Sequence, residues 1–321
     1  MDFLANYFGS LNPMSFLSAL PGNIAQGIIW GLMGLGVFLT FKLLNFADLS
    51  VDGSFATGGA VTAVMLINGC PVWATIIVAI LAGLAAGLVT GLLHTLLGIP
   101  DILAGILTQI ALYSINLNIM GKSNLPISYR NYTLVVSASN INMAILVGLG
   151  ICAVVIAAMY WYFGTEQGST IRSTGSNPAM SKAQGININF TKVIALALSN
   201  GLVALSGSLF AQYQGFADIN MGRGAIVIVL AAVIIGEDLG DPIIIKKMNF
   251  IIRMVFVIVG GILYYIAMGI VLWLKMPTDD TKLFTAIIVA IFLAVPYLQK
   301  KRKTSFKKVA KMNAKNAQKE G

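Results

Sequence analysis

The sequence predicts an all-α polytopic membrane protein of about nine transmembrane helices, with an inverted internal repeat and broken or half helices. Three observations predict it. The composition is too apolar for a soluble domain: 57% of the 321 residues are hydrophobic, 10% are charged and the mean hydropathy is +0.85, whereas an ordinary globular domain carries about 25% charged residues. Apolar runs of the length a bilayer demands recur along most of the chain. Two stretches 170 residues apart also read alike.

In chain order, the candidate spans are roughly 23–41, 53–70, 72–95, 101–120, 141–163, 191–213, 224–236, 249–273 and 282–298. The seventh is short and glycine-bounded, so it is expected to be a half-helix or a re-entrant piece. Residues 1–22 carry aromatic and aliphatic side chains but are interrupted by Pro13 and Pro21, which suggests an interfacial N-terminal segment. The membrane domain then covers 23–298, in halves of about 23–163 and 191–298 joined by a polar loop at 164–190, and a tail at 299–321 follows. The 33 glycines suit such a domain, since small residues let membrane helices approach closely.

Lysine and arginine set the orientation, because cytoplasmic loops collect them. With the loop at 164–190 and the C-terminus in the cytoplasm, sixteen basic residues lie inside and five outside. Lys42, Arg172, Lys182, Lys192, Lys246, Lys247 and Arg253 are inside with the tail; Lys122, Arg130, Arg223, Lys275 and Lys282 are outside. The tail from Lys300 to Gly321 holds nine of the 21 basic residues and one acid, so most of the net charge of +9 sits there. A solvated end that fixes topology explains it, and so does binding to membrane lipid headgroups or a partner; no nucleic acid is expected. The N-terminus shows no cleavable signal pattern. Two cysteines, Cys70 and Cys152, and the single histidine, His94, provide neither a disulfide framework nor a multi-histidine metal site.

The repeat pairs residues 31–64 with 201–234: Gly31 meets Gly201, Leu35 meets Leu205, and Phe46-Ala47-Asp48 meets Phe216-Ala217-Asp218. Each copy has a span, a short polar break with an aspartate, and a second span. The orientation above makes one copy run inward and the other outward, the inverted arrangement from which many transporters are built. A weaker continuation pairs Pro100 and Asp101 with Pro277 and Asp279.

Polar groups at membrane depth are costly and mark function or structure. Asp48, Asp52 and Asp218 either cap the helices that follow them or line a solute path. Gln109 and Asn116 share one face of the fourth span, and Ser114 and Asn118 share another; both pairs suit inter-helix bonding or a path lining. Asn200, Gln212 and Gln214 on the sixth span invite the same two readings. Gly121-Lys122-Ser123 looks like the end of a phosphate-binding loop, but position 116 is asparagine where that motif needs glycine. No catalytic constellation or nucleotide motif is present, so no enzyme and no bound cofactor are expected of this chain.

In the loop from Thr165 to Phe190, Asn177 before Pro178 marks a helix start and Gly185 its stop. The order Gly168, Arg172, Gly175, Asn177, Ala183, Gly185 resembles the coupling segment of ABC importer permeases of the branched-chain amino acid and ribose type. The stretches 41–60 and 195–237 resemble that family as well, and the resemblance covers roughly 25–298. It implies a permease subunit whose coupling segment docks on a separate ABC ATPase that uses the ATP. It further implies an extracellular substrate-binding protein, a second permease copy and a small polar solute, an amino acid first, aromatic ones included. Arg223 and the loop at 121–140 would then face the binding protein. The Glu-Ala-Ala signature of other importer classes is missing from the loop. The alternative is an ion-coupled secondary transporter, which would need a titrating acid at a span centre, whereas most acids here fall near span ends.

Overall fold

The long apolar runs fold as helices, in a computed structural model that describes residues 13–128, 132, 134–243, 249–274, 283–291 and 294. Expectations for residues 1–12, Arg130, Lys246, Lys247, Lys275, Pro277, Asp279, Lys282 and the tail at 299–321 lie outside the described residues. Helix α1 (Pro13–Phe38) runs into a π-turn at Leu39–Leu43, and α2 (Val51–Ile67), α3 (Val72–Leu96), α4 (Asp101–Met120) and α5 (Ile141–Phe163) follow. Two short polar helices, α6 (Glu166–Ser176) and α7 (Pro178–Ala183), lead to α8 (Ile188–Gln214), α9 (Ala225–Ile243) and α10 (Phe250–Trp273). Residues 283–291 are helical too. A short antiparallel pair, β1 (Asn124–Pro126) with β2 (Phe216–Asp218), joins Leu125 to Ala217.

Six of these elements are long and apolar enough to cross a bilayer: α1 with its π-turn, α3, α4, α5, α8 and α10. The chain is a multi-pass membrane protein. α2 and the Ala225–Glu237 part of α9 are shorter apolar helices, in keeping with broken elements. Two boundaries differ most from expectation: α9 runs to Ile243 rather than ending near residue 236, and α1 starts early. The first helix begins at Pro13 rather than near residue 23 and passes through Pro21. Proline removes one bond of the helical ladder, but the loss falls in turns where Met14 and Leu17 are exposed, so the helix continues.

α1 and α8 form the centre, with 83% and 67% of their apolar windows buried, against 28% for α4 and 22% for α5 on the periphery. Glycine permits the tight crossings. On α3, Gly83, Gly87 and Gly91 face α8, and a Cβ at Gly91 would come within 2.8 Å of the Val193 Cα, while Cβ atoms at Gly83 and Gly87 would overlap the Asn200 and Leu196 carbonyls. Trp30, Phe55 and Phe210 stack where α1, α2 and α8 meet, with Trp30 5.2 Å from Phe55 and 5.6 Å from Phe210. Across the centre, the Ser199 hydroxyl donates to the Gly36 carbonyl at 2.7 Å and the Ser206 hydroxyl to the Ile29 carbonyl at 2.6 Å. Ser199 stands 170 residues after Ile29 and Ser206 stands 170 after Gly36, so the two bonds exchange places under the offset of the sequence repeat.

The two ends of the bundle differ. At one, Lys42 pairs with Glu237, and Lys192 bonds His94, which packs edge-on to Phe46; α6 and α7 lie there as well. At the other are the β1–β2 pair and the Tyr213 hydroxyl, which donates to the Gly22 carbonyl.

Candidate functional site

After the π-turn the chain folds back, with Asn45 in the left-handed region at φ 55°, a conformation asparagine tolerates better than most residues. This break brings Asp48, only 3% exposed, against the middle of α8. One Asp48 carboxylate oxygen accepts from the Ser50 N–H at 2.8 Å and from the Ser50 hydroxyl; the other accepts from Asn200 Nδ2 at 2.7 Å. The Asn200 amide oxygen in turn accepts from the Ser54 hydroxyl at 2.6 Å. All four groups are buried, and a buried carboxylate persists only with such partners.

Asp52, in the first turn of α2, reaches across to the start of α9. Its two oxygens accept from the Gly224 and Ile226 N–H groups, each at 2.9 Å. Every helix start leaves such donors without an intrahelical partner. The capping expectation is therefore corrected in place. Asp52 caps α9 rather than its own helix. Asp218 does not cap α9 but accepts from the Asn220 N–H in its own turn at 2.7 Å, the turn geometry that Asp48 makes with Ser50. Asn124 Nδ2 also donates to Asp218, at 3.3 Å across the strand pair. Gly222, which stands 170 residues after Asp52, packs on the Asp52 carbonyl, where a Cβ would overlap it.

A cavity of about 310 Å³ opens beside this cap, lined by Asp52, Gln109, Tyr113, Asn116, Ile219 and Arg223 among others. Three predicted residues, Asp52, Gln109 and Asn116, thus meet in one place. Asn116 is fully buried, and neither its oxygen nor its nitrogen has a hydrogen-bond partner among the described residues, at a cost of about 1–3 kcal/mol for a desolvated polar group. The Arg223 guanidinium lies 5.9 Å from the centre of the Tyr113 ring, at cation–π range. Ser114 and Asn118 lie on the exposed face, with Asn118 Nδ2 bonded to the Ser114 carbonyl. Gln212 sits apart from the cavity: its oxygen accepts from the Val135 N–H at 3.1 Å and its amide nitrogen lacks a partner. Gly121-Lys122-Ser123 begins with the left-handed cap of α4, which accounts for its glycine.

The segment 164–190 forms two helices where one was expected. Three of its predicted contact residues seat α6 on the bundle. Cβ atoms at Gly168 and Gly175 would overlap Phe163 and the Leu43 carbonyl, and Arg172 donates to the Phe163 carbonyl at 2.9 Å. Asn177 caps α7 by accepting from the Met180 N–H at 3.0 Å, and Gly185 turns left-handed at φ 83° after α7. That leaves Pro178, Ala179, Met180 and Ala183 as the outward face of the segment, with Met180 59% exposed. Among the described residues no cluster of three or more metal-ligating side chains exists.

Residues 22–296 match the family described as branched-chain amino acid transport system / permease component. The chain belongs to this ABC-type permease family. Among its relatives, the tyrosine transport system permease protein of Clostridioides difficile (strain R20291) is 42% identical over 301 residues, covering 93% of the permease and 99% of the relative. The D-allose transport system permease protein AlsC of Escherichia coli (strain K12) is 28% identical, covering 71% of each chain. The ribose import permease protein RbsC of Haemophilus influenzae is 28% identical, covering 63% of the permease and 64% of the relative. In fold, the permease resembles PsaBC from Streptococcus pneumoniae solved in complex with Fab, with a TM-score of 0.50 and 17% identity over 91% of the permease and 94% of that chain.

The permease therefore holds a cavity lined by the Gln109 and Asn116 amides, one guanidinium and one aromatic ring. Such groups suit reversible binding of a small polar solute. Tyr113 went unremarked in the sequence because it lies in an apolar span, and Arg223 was assigned to the outer surface; only their shared cavity with Asn116 reveals the grouping.

Proposed function

We propose that this permease is the membrane subunit of an ATP-driven importer that carries an amino acid, aromatic ones included, through the cavity beside Asp52. The observation that carries the proposal is that cavity, with the unpartnered Asn116 and the Arg223 guanidinium at cation–π range of Tyr113. A guanidinium suits a carboxylate, Tyr113 offers a ring face to an aromatic side chain, and Asn116 offers both a donor and an acceptor. The amino-acid choice draws support from the name of the C. difficile relative. ATP is used by a separate ABC ATPase that docks on the exposed face of α7, while an extracellular binding protein delivers solute at the β1–β2 end. A second copy of the permease completes the path, and the C-terminus and the basic tail lie in the cytoplasm.

We further infer nine crossings built as an inverted repeat. The reciprocal Ser199 and Ser206 bonds, the matching turns at Asp48 and Asp218, and the Asp52–Gly222 contact at the repeat offset support it. Ion coupling fares less well, because hydrogen-bond donors of the protein already engage the oxygens of both Asp48 and Asp52.

Proteoliposomes containing the permease, its ATPase and its binding protein test the proposal. Uptake of labelled tyrosine should require all three proteins and ATP. Uptake by the permease alone under an ion gradient would refute it.

A further inference from the structure

We propose that the permease holds an anionic phospholipid between α5 and the bundle, its acyl chain in an apolar groove and its headgroup at Arg172. The groove has a volume of about 330 Å³ and runs between α3, α5 and α8, with Ile80, Leu84, Ala158, Leu198, Leu202 and Leu205 among its walls. It adjoins a second, more polar hollow of about 510 Å³ that includes Gly164, Thr165 and Arg172. Trp161 and Phe163 line both. The pair thus has an aliphatic part and a cationic part side by side, which is the chemistry of an amphiphile.

Depth and charge choose the occupant. The hollow lies at the end of α5, where Tyr160, Trp161 and Tyr162 follow one another, the residue types that collect at headgroup level. Trp161 is 74% exposed, so the join of the two spaces opens outward from the helix bundle. α5 is the least buried of the six long apolar helices, with 22% of its window covered, which leaves most of its surface open to lipid. One Arg172 nitrogen donates to the Phe163 carbonyl at 2.9 Å, which orients the guanidinium along the rim while its other donors remain for a phosphate. The basic residues Lys42, Lys182 and Lys192 lie at the same end of the bundle, in keeping with the anionic leaflet. Because α6 begins at Glu166, directly beyond the hollow, a lipid held there would steady α6 where it joins the bundle.

Trp161 supplies the probe. The full-length permease carrying Trp30→Phe, Trp73→Phe and Trp273→Phe is reconstituted into bilayers of phosphatidylcholine with brominated phosphatidylglycerol, or of phosphatidylglycerol with brominated phosphatidylcholine. The expected result is stronger quenching of Trp161 by the anionic lipid at equal mole fraction, corresponding to about a fivefold preference from one basic side chain. Arg172→Gln should remove the preference while leaving quenching by both lipids, and Arg172→Lys should keep it. Ala158→Phe, which fills the groove, should reduce quenching by both. Equal quenching by the two lipids in the parent protein, or a preference unchanged in Arg172→Gln, overturns the proposal. So does protection of Trp161 from both lipids, which would mean that a protein surface covers the groove.

Discussion

Replacing Asp52 by alanine removes the carboxylate that joins α2 to the start of α9. The carboxylate accepts two backbone bonds from the start of α9, both at 2.9 Å and both partly buried. Hydrogen bonds to a charged acceptor contribute about 1.5–3 kcal/mol each, so Asp52→Ala should cost about 3–6 kcal/mol of stability. Asp52→Asn keeps one acceptor and should fall between alanine and the parent. The measurement is unfolding in mixed micelles, with amide hydrogen exchange at Gly224 and Ile226 read in parallel. In Asp52→Ala those two amides should lose protection before the rest of α9, and uptake should fall with them. An unfolding midpoint equal to the parent's, or unchanged exchange at those amides, would refute the claim that this carboxylate holds α9.

Three further outcomes follow from the same geometry. Asn200→Leu leaves the Asp48 carboxylate without its α8 partner and should destabilise by about 1.5–3 kcal/mol, the contribution of a hydrogen bond to a charged group; a loss below about 0.5 kcal/mol, within the range of ordinary surface changes, would remove the network from the account. Asn116→Leu deletes a polar group that has no partner, so the fold should be at least as stable while uptake drops by about tenfold, the equivalent of 1.4 kcal/mol of solute binding; a destabilised protein would show that Asn116 serves the fold. Asn177→Ala removes the cap of α7 at about 1 kcal/mol and should weaken co-purification of the ATPase, whereas full retention would place docking elsewhere.

Six of the nine expected spans were legible because length and hydropathy alone dictate them, and the ends of α3, α4 and α5 fall within a residue of expectation. The start of α1 was not, since a proline in an exposed turn weakens a helix without ending it. α6 was missed for a different reason: Glu166–Ser176 is polar, with Ile171 as its only large apolar residue, and of the two glycine contacts that seat it, the one between Gly175 and Leu43 lies far apart in the chain. Asp48 and Asp52 were recognisable as special because aspartate at membrane depth is expensive. Their partners were not, because Asn200 is 152 residues from Asp48 and Gly224 is 172 from Asp52, and no local pattern spans such distances. The residues assigned to ATPase contact divide on inspection into those that seat the segment, Gly168, Arg172 and Gly175, and the exposed α7 that the seating presents.

A continuous chain of contacts joins that presented face to the cavity. Gly175 of α6 packs on the Leu43 carbonyl, neighbouring Lys42 pairs with Glu237 of α9, and the other end of α9 is held by Asp52 at the cavity wall. Adjacency alone does not establish coupling, and the Lys42–Glu237 pair is partly exposed, so by itself it contributes about 0–1 kcal/mol to stability. Its weight would lie elsewhere, in linking two rigid helices so that displacement of α6 moves α9 against Asp52. A double-mutant cycle separates the two roles. Lys42→Gln and Asp52→Asn should each slow ATP-driven uptake, and the double variant should be no slower than Asp52→Asn alone if both act through α9. Independent, multiplying losses would show that the two contacts serve the fold separately and that no path through α9 joins α6 to the cavity.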